Sequence, residues 1–527
     1  MKFKPITLIY GPNSSGKSSI IQSLLLLKQT MNESGKTQEH IIPKGELVNL
    51  GSYKDFIYKH DLKNKYSFFL SHCIDNTNND ISFPAELDIR KIGIGIKFSH
   101  DEKQSNSTNI IEYCFYINDY IEPISTFSLK EENDDTLASL DIDIFHKIKS
   151  LSTRYKHGFT FKASSINKSH PFWKQFAAFN KKDIEKQLGN SFHKELARFK
   201  HVLTIIKREE KGKRNKATDD TFGVNFIEKA ISDMEEYDRV RNGSIDSFFD
   251  LIEGIHKKIS FETKDFIPCK FQSDSVNFNF FSTFKTVSFQ EIIESNFNNI
   301  YSQASQTLQK TLSDIIYIGP LREHPSRLYA LNGEAIENVG MTGKFVPDFL
   351  FQDEMFLGKV NERLNVFKLG YQLEILKLSK DFFELRLVDK LTKINTSILD
   401  VGFGVSQVLP VIVQSMLSKN KTLCIEQPEI HLHPRLQSEL GTLLKDCINT
   451  PYNNNFIVET HSEHLMLRIQ RLIKNKELNS NDVSIIYVNK DENGSYCIEL
   501  RLDSEGDFID EWPDGFFEEG YQEMFSL

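Results

Sequence analysis

Residues 11 to 19 read GPNSSGKSS. A glycine, four residues, then Gly16, Lys17 and Ser18 is the spacing of a loop that wraps phosphate. Gly11 and Gly16 let the backbone N–H groups of residues 14 to 18 turn toward phosphate oxygens, with Asn13, Ser14 and Ser15 between them. Lys17 would bridge the β- and γ-phosphates, Ser18 would ligate Mg²⁺ and Ser19 would touch the α-phosphate. A glycine-rich turn without ligand satisfies the same letters, but this one has the required setting. ITLIY (6–10) before it reads as a buried strand, and SSIIQSLLLLKQTM (18–31) after it as a helix.

Three other stretches carry candidate chemistry. TLCIEQPEIHLHP (422–434) is an apolar strand that ends on Glu426, where a carboxylate can hold Mg²⁺ through its water shell. Gln427 follows, at a place where a nucleotide-hydrolysing site usually has a second carboxylate. FIVETHS (456–462) is another short strand, and His461 just past its end can meet a γ-phosphate or the attacking water. DVGFGVSQVLPVIVQ (400–414) opens an apolar helix with Gly402, Gly404, Ser406 and Gln407. Those residues form either an anion site of backbone donors or an ordinary helix cap. His431, His433, His461 and His464 are close in sequence, but HLHP has i, i+2 spacing before a proline, which is poor zinc spacing.

The elements that position these residues lie far apart in the chain. Strand, helix and strand alternate after residue 313, which predicts a mixed, partly parallel α/β sheet. The phosphate loop precedes a long insertion, and the other motifs follow it. The expected organisation is one head formed by 1–60 and 310–527, a β-rich insertion over 61–135 and a mostly helical insertion over 136–309. KREEKGKRNK (207–216) is the chain's best local basic patch, although such a run is ordinarily a solvated face. There is no sustained heptad stretch of coiled-coil length.

At 527 residues with a net charge of −9, the chain calls for two or three domains and exerts no overall pull on nucleic acid. The six cysteines show no CxxC or zinc spacing, which suits reduced thiols in a cytoplasmic protein. The apolar run before Gly11 is too short for a signal-peptide core, and no run approaches the ~20 residues of a membrane span.

In order, GPNSSGKSS, DVGFGVSQ, CIEQPE and VETHS resemble the Walker A, signature, Walker B and switch-histidine segments of ABC-type ATPases of the RecF/SMC/Rad50 and OLD-like group. That resemblance implies an ABC-type P-loop head with ATP and Mg²⁺ as cofactors and a head-to-head homodimer, with higher oligomers possible. The signature residues of one subunit would then act on the partner's γ-phosphate. YIGPLREHPSRLY (317–329) and EWPDGFFEEGYQEMF (511–525) are similar to stretches in PtuA-type ATPases of Septu and retron-linked anti-phage systems. These imply an HNH-type effector nuclease as partner, with a reverse transcriptase and its nucleic-acid product as further candidates.

Two features depart from those patterns. The residues after His461 look like closing strands plus WPDGFF, too few for the ~100-residue metal-dependent nuclease module of OLD-like proteins. The chain is therefore expected not to cut DNA alone. Gln427 stands where the group usually has its catalytic glutamate, which predicts slow or partner-gated hydrolysis unless Glu429 substitutes as base. The leading expectation is an ATP-held regulatory subunit of a defence complex. A RecF-like DNA-repair ATPase and a self-contained OLD-like nuclease are the alternatives.

Overall fold

Uninterrupted apolar β-branched runs suit strands buried on both faces, and Ile6–Tyr10 is such a run with every residue buried. The computed structural model describes residues 1–33, 40–74, 83–84, 86–100, 108–119, 121–129, 160–188, 192–212, 227–228, 231–232, 235, 238, 245–264, 266–273, 289–331, 336–401 and 404–513. Along the chain, β1 (Ile6–Tyr10) and α1 (Lys17–Glu33) come first. Then follow β2 (Tyr66–Cys73), β3 (Lys91–His100), β4 (Thr108–Ile117), β5 (Ser125–Leu129) and β6 (Thr160–Ile166). Helices α2 (Phe172–Leu188), α3 (Phe192–Gly212) and α4 (Ile245–His256) lead to β7 (Ile259–Lys264), β8 (Ile267–Ser273) and α5 (Phe289–Ser313). The last third holds β9 (Ile315–Ile318), β10 (Tyr329–Ala330), α6 (Val346–Gln352), α7 (Glu354–Val366), β11 (Tyr371–Lys377), β12 (Phe382–Asp389) and β13 (Asn395–Ser397). It ends with α8 (Gly404–Leu417), β14 (Thr422–Glu426), α9 (Pro434–Cys447), β15 (Asn455–Glu459), α10 (Glu463–Lys474), β16 (Val483–Asp491) and β17 (Gly494–Leu500).

These elements divide into two compact units. One contains Met1–Gln29, Gly45–Asn49 and Leu312–Leu527, and the other Thr30–Lys44 and Leu50–Thr311. The first is built on a six-stranded sheet in the order β17-β16-β1-β15-β14-β9. β9, β14, β15, β1 and β16 pair in parallel, and β17 closes the edge antiparallel. This is the mixed, partly parallel α/β sheet that the alternating pattern predicts. Parallel pairing brings the carboxyl ends of β1, β14 and β15 to one edge, where open α/β sheets hold their ligands. Val405, Val408, Ile412, Leu440, Leu444, Leu465 and Ile469 bury the inner faces of α8, α9 and α10 in one core with Leu8, Ile425 and Val458.

The second unit is an antiparallel meander, β2 through β8 in sequence order. Its core is aromatic. The Phe115 and Tyr301 ring centroids lie 4.6 Å apart, and the buried Tyr301 hydroxyl bonds both His256 Nε2 and Ser125 Oγ. Three of the seven strands, β6, β7 and β8, come from the 136–309 stretch in which helical spacing dominates the sequence. They are short: β6 pairs with β5 of the β-rich stretch, and β7 and β8 extend the sheet from it. Tertiary pairing there outweighs local helical pattern. Residues 213–216 of the basic run lie outside the described residues. Among the described residues no helix is long and apolar enough to cross a membrane.

Candidate nucleotide site

β1 delivers the chain into the loop at Gly11, whose φ of +143° is one that side chains rarely adopt. A Cβ there would stand 2.1 Å from the Val488 carbonyl oxygen, so the loop's first residue must be glycine for space as well. Gly16 also has positive φ, +104°, and Ser14 sits in the left-handed region at +62°. Together they wind the loop into the start of α1 at Lys17. The Ser15 hydroxyl is buried and finds no hydrogen-bond partner among the described residues. Lys17 is only 4% exposed, and its Nζ donates to the Pro12 carbonyl at 2.7 Å. Burial lowers its pKa, opposed by the carboxylate of Glu459. Asn13, Ser14 and Ser19 face solvent around it, with Ser18 half-buried.

β15 lies between β1 and β14, and its register pairs Glu459 with Ile9 on one side and with Glu426 on the other. Two carboxylates therefore stand side by side at the sheet edge, both nearly buried. Burial, and then the Glu459 charge, push Glu426 up to about 7. Its Oε1 accepts from the Tyr317 hydroxyl at 3.0 Å, and its carbonyl accepts from Arg322 Nη2 at 3.1 Å. Arg322 is itself desolvated and lowered to about 10, with the Glu429 and Glu426 carboxylates and the Tyr317 phenol around it. Its Nε has no partner among the described residues.

Past Glu426 the chain turns through Gln427, a non-glycine residue at φ +45°, held by its N–H to the Glu459 carbonyl at 2.8 Å. Glu429 then folds back, and its Oε1 accepts the backbone N–H of His461 at 2.6 Å. Burial raises the Glu429 pKa, opposed by hydrogen bonds from the His461 N–H and the Thr460 hydroxyl. His461 lies half-buried, its pKa lowered first by burial and then by the Lys17 ammonium. Lys17, Glu426, Gln427, Glu429 and His461, read from separate motifs, thus converge on one edge. Glu429 is fixed there as a brace for the histidine segment.

Gly404, Ser406 and Gln407 begin α8. A Cβ on Gly404 would come within 3.3 Å of the His431 carbonyl, so this helix start backs closely onto the loop after Gln427. Ser406 is buried in the first turn. Gly402 lies outside the described residues. His433 caps α9, accepting the Arg435 N–H on Nδ1. Among the described residues no cluster of three His, Cys, Asp or Glu side chains could hold a metal unaided.

Sequence reading missed Glu459, Tyr317 and Arg322. Glu459 is visible only as the acid inside VETHS. Tyr317 lies on β9, which pairs with β14, and Arg322 in the segment just after it, a placement only the topology reveals.

A family model described as AAA ATPase domain matches residues 1–466. The chain belongs to that family. Residues 478–527 of this AAA ATPase match a second model, described as a protein of unknown function, DUF3696. No curated protein matches the chain significantly. Among solved structures, it is similar to the Smc head domain with an extended coiled coil bound to the C-terminal domain of ScpA, from Pyrococcus furiosus. That pair is 12% identical over 95% of this chain and 91% of that one, with a TM-score of 0.33. The Smc head domain with a coiled coil and joint from Pyrococcus yayanosii matches at 10% identity over 95% and 93%, with a TM-score of 0.32.

The residues fit ATP with Mg²⁺. The positive-φ glycines wind the loop where a Cβ would strike Val488 or Ser495, the Ser15 hydroxyl has no partner among the described residues, and Lys17 is held on a loop carbonyl that a phosphate can replace. Ser18 and Glu426 would hold the ion, which when bound offsets the charge of the phosphate oxygens.

Proposed function

We propose that this AAA ATPase is an ATP-operated regulatory head. It binds ATP-Mg²⁺ at the Gly11–Ser19 loop and closes on a second copy through Gly402, Gly404, Ser406 and Gln407. The closed dimer controls a separate effector, an HNH-type nuclease of an anti-phage defence complex. The observation that carries the reading is the union of a complete phosphate cradle, Glu426 and His461 on one edge with an amide, Gln427, where a second carboxylate ordinarily follows. An amide holds water but accepts a proton poorly, so nucleotide occupancy outlasts each binding event. ATP then acts mainly as a ligand that stabilises the closed state. The effector rests on the likeness of YIGPLREHPSRLY and the 511–525 stretch to PtuA-type ATPases.

The test is light scattering of the full chain with and without ATP-Mg²⁺. The native chain should double in mass with ATP. Lys17→Ala should stay at its apo mass and lose nucleotide binding by at least ~100-fold. Gln427→Glu should turn over faster and dissociate sooner. A native mass indifferent to ATP, or brisk turnover untouched by Gln427→Glu, refutes the reading. Co-purification from the native operon tests the effector, and recovery of the chain without a nuclease partner refutes that part.

A further inference from the structure

We propose that Glu459 is the catalytic carboxylate of this ATPase, the group that holds the attacking water and takes its proton where Gln427 cannot. The proposal rests on the nucleotide reading above and deepens it, by assigning the turnover that remains to a residue outside the expected motif.

Three carboxylates stand at this edge, and their partners separate their roles. Glu426 accepts the Tyr317 hydroxyl and lies on the far strand, the place of a metal-side acid. Glu429 is engaged by the His461 N–H on Oε1 and by the Thr460 hydroxyl, and the cation near it is Arg322. Glu459 is at the tip of β15, directly beside the strand that feeds the phosphate loop. It is 4% exposed, its Oε2 has no partner among the described residues, and Lys17 is the cation it acts on. A buried carboxylate oxygen left bare is costly unless a ligand or water uses it. The cation it acts on, Lys17, is the lysine placed to hold the terminal phosphates.

The loop geometry supports the same division. Gln427 hangs from the Glu459 carbonyl through its own N–H, with its backbone in the left-handed region. The amide at the usual catalytic position and the carboxylate beside it are therefore parts of one turn. In the step assigned to Glu459, the water oxygen bonds to the γ-phosphorus and the bond from that phosphorus to the β–γ bridging oxygen breaks. The electron pair leaves with ADP. The water's proton passes to the Glu459 carboxylate and then to solvent, giving ADP, inorganic phosphate and a proton.

The experiment compares native chain, Glu459→Gln, Glu459→Asp and the double variant Glu459→Gln with Gln427→Glu. Single-turnover hydrolysis of radiolabelled ATP gives the rate, and a fluorescent ATP analogue with Mg²⁺ gives affinity. Glu459→Gln should lose at least ~100-fold in rate with affinity and Mg²⁺ requirement within about threefold of native. Glu459→Asp should keep a measurable part of the rate, and the double variant should recover at least ~10-fold over Glu459→Gln. A Glu459→Gln rate within about threefold of native overturns the proposal. So does a rate loss explained by weaker analogue or Mg²⁺ binding, which would make Glu459 a binding residue. A native chain that binds no analogue overturns the nucleotide reading itself, and this proposal with it.

Discussion

Replacing Glu426 by glutamine should make the nucleotide-free protein more stable above neutral pH, while costing it its use of Mg²⁺. Burial and the adjacent Glu459 raise the folded-state pKa of Glu426 from 4.5 to about 7. The folded chain therefore binds this proton more tightly than the unfolded chain. Stability tied to it is complete below about pH 4.5 and is lost as pH rises through about 7. The interval between those values, at about 1.36 kcal/mol per pH unit, amounts to roughly 3 kcal/mol at pH 8. Glutamine removes that loss, because it is neutral at every pH and still offers an oxygen to the Tyr317 hydroxyl at the position Oε1 occupies.

The assay is thermal unfolding of native and Glu426→Gln chains, without nucleotide, at pH 5 and pH 8. About 3 kcal/mol corresponds to a Tm gain of roughly 6–12 °C for a unit of this size at ~2–4 °C per kcal/mol. At pH 5 the two should agree within about 1 kcal/mol. Glu429, also raised by burial, is present in both chains and cancels in the difference. With ATP-Mg²⁺ at about 100-fold over Kd, the native chain should gain ~2.7 kcal/mol that the variant does not share. A Tm difference that is the same at pH 5 and pH 8 would refute the reasoning, since only the carboxyl's titration makes it pH-dependent.

Two further substitutions probe the frame of the site. Glu429→Ala removes the acceptor of the His461 N–H, and an amide left without its charged partner costs about 1.5–3 kcal/mol. The Tm should fall accordingly, and hydrogen exchange should quicken at His461, whereas unchanged exchange there would show that Glu429 braces nothing. Gly11→Ala forces a Cβ to 2.1 Å from the Val488 carbonyl at φ +143°. This should cost more than ~2 kcal/mol, and a native-like melting temperature would show that the loop has another accessible shape.

How much of this site can be read from sequence follows from how each residue reaches it. Lys17, Ser18, Glu426 and His461 are legible because each follows a short apolar strand at a fixed offset, and a strand's end is where its chain leaves the buried sheet. The helix over 434–447 is legible for a related reason, as its apolar spacing meets the core on one side, and the nearly unbroken apolar run over 404–417 suits a helix buried on almost every side. Glu459 fails that test because its meaning depends on neighbours set by strand order. Nothing in VETHS says that β15 inserts between β1 and β14, and only that insertion turns its last residue toward both Lys17 and Glu426. Tyr317 and Arg322 are hidden in the same way, more than a hundred residues before the strand they serve. Gln427 thus has two readings. Along the chain, it replaces a missing base. Across the sheet, it is the turn bonded to the carbonyl of the carboxylate that takes that base's place.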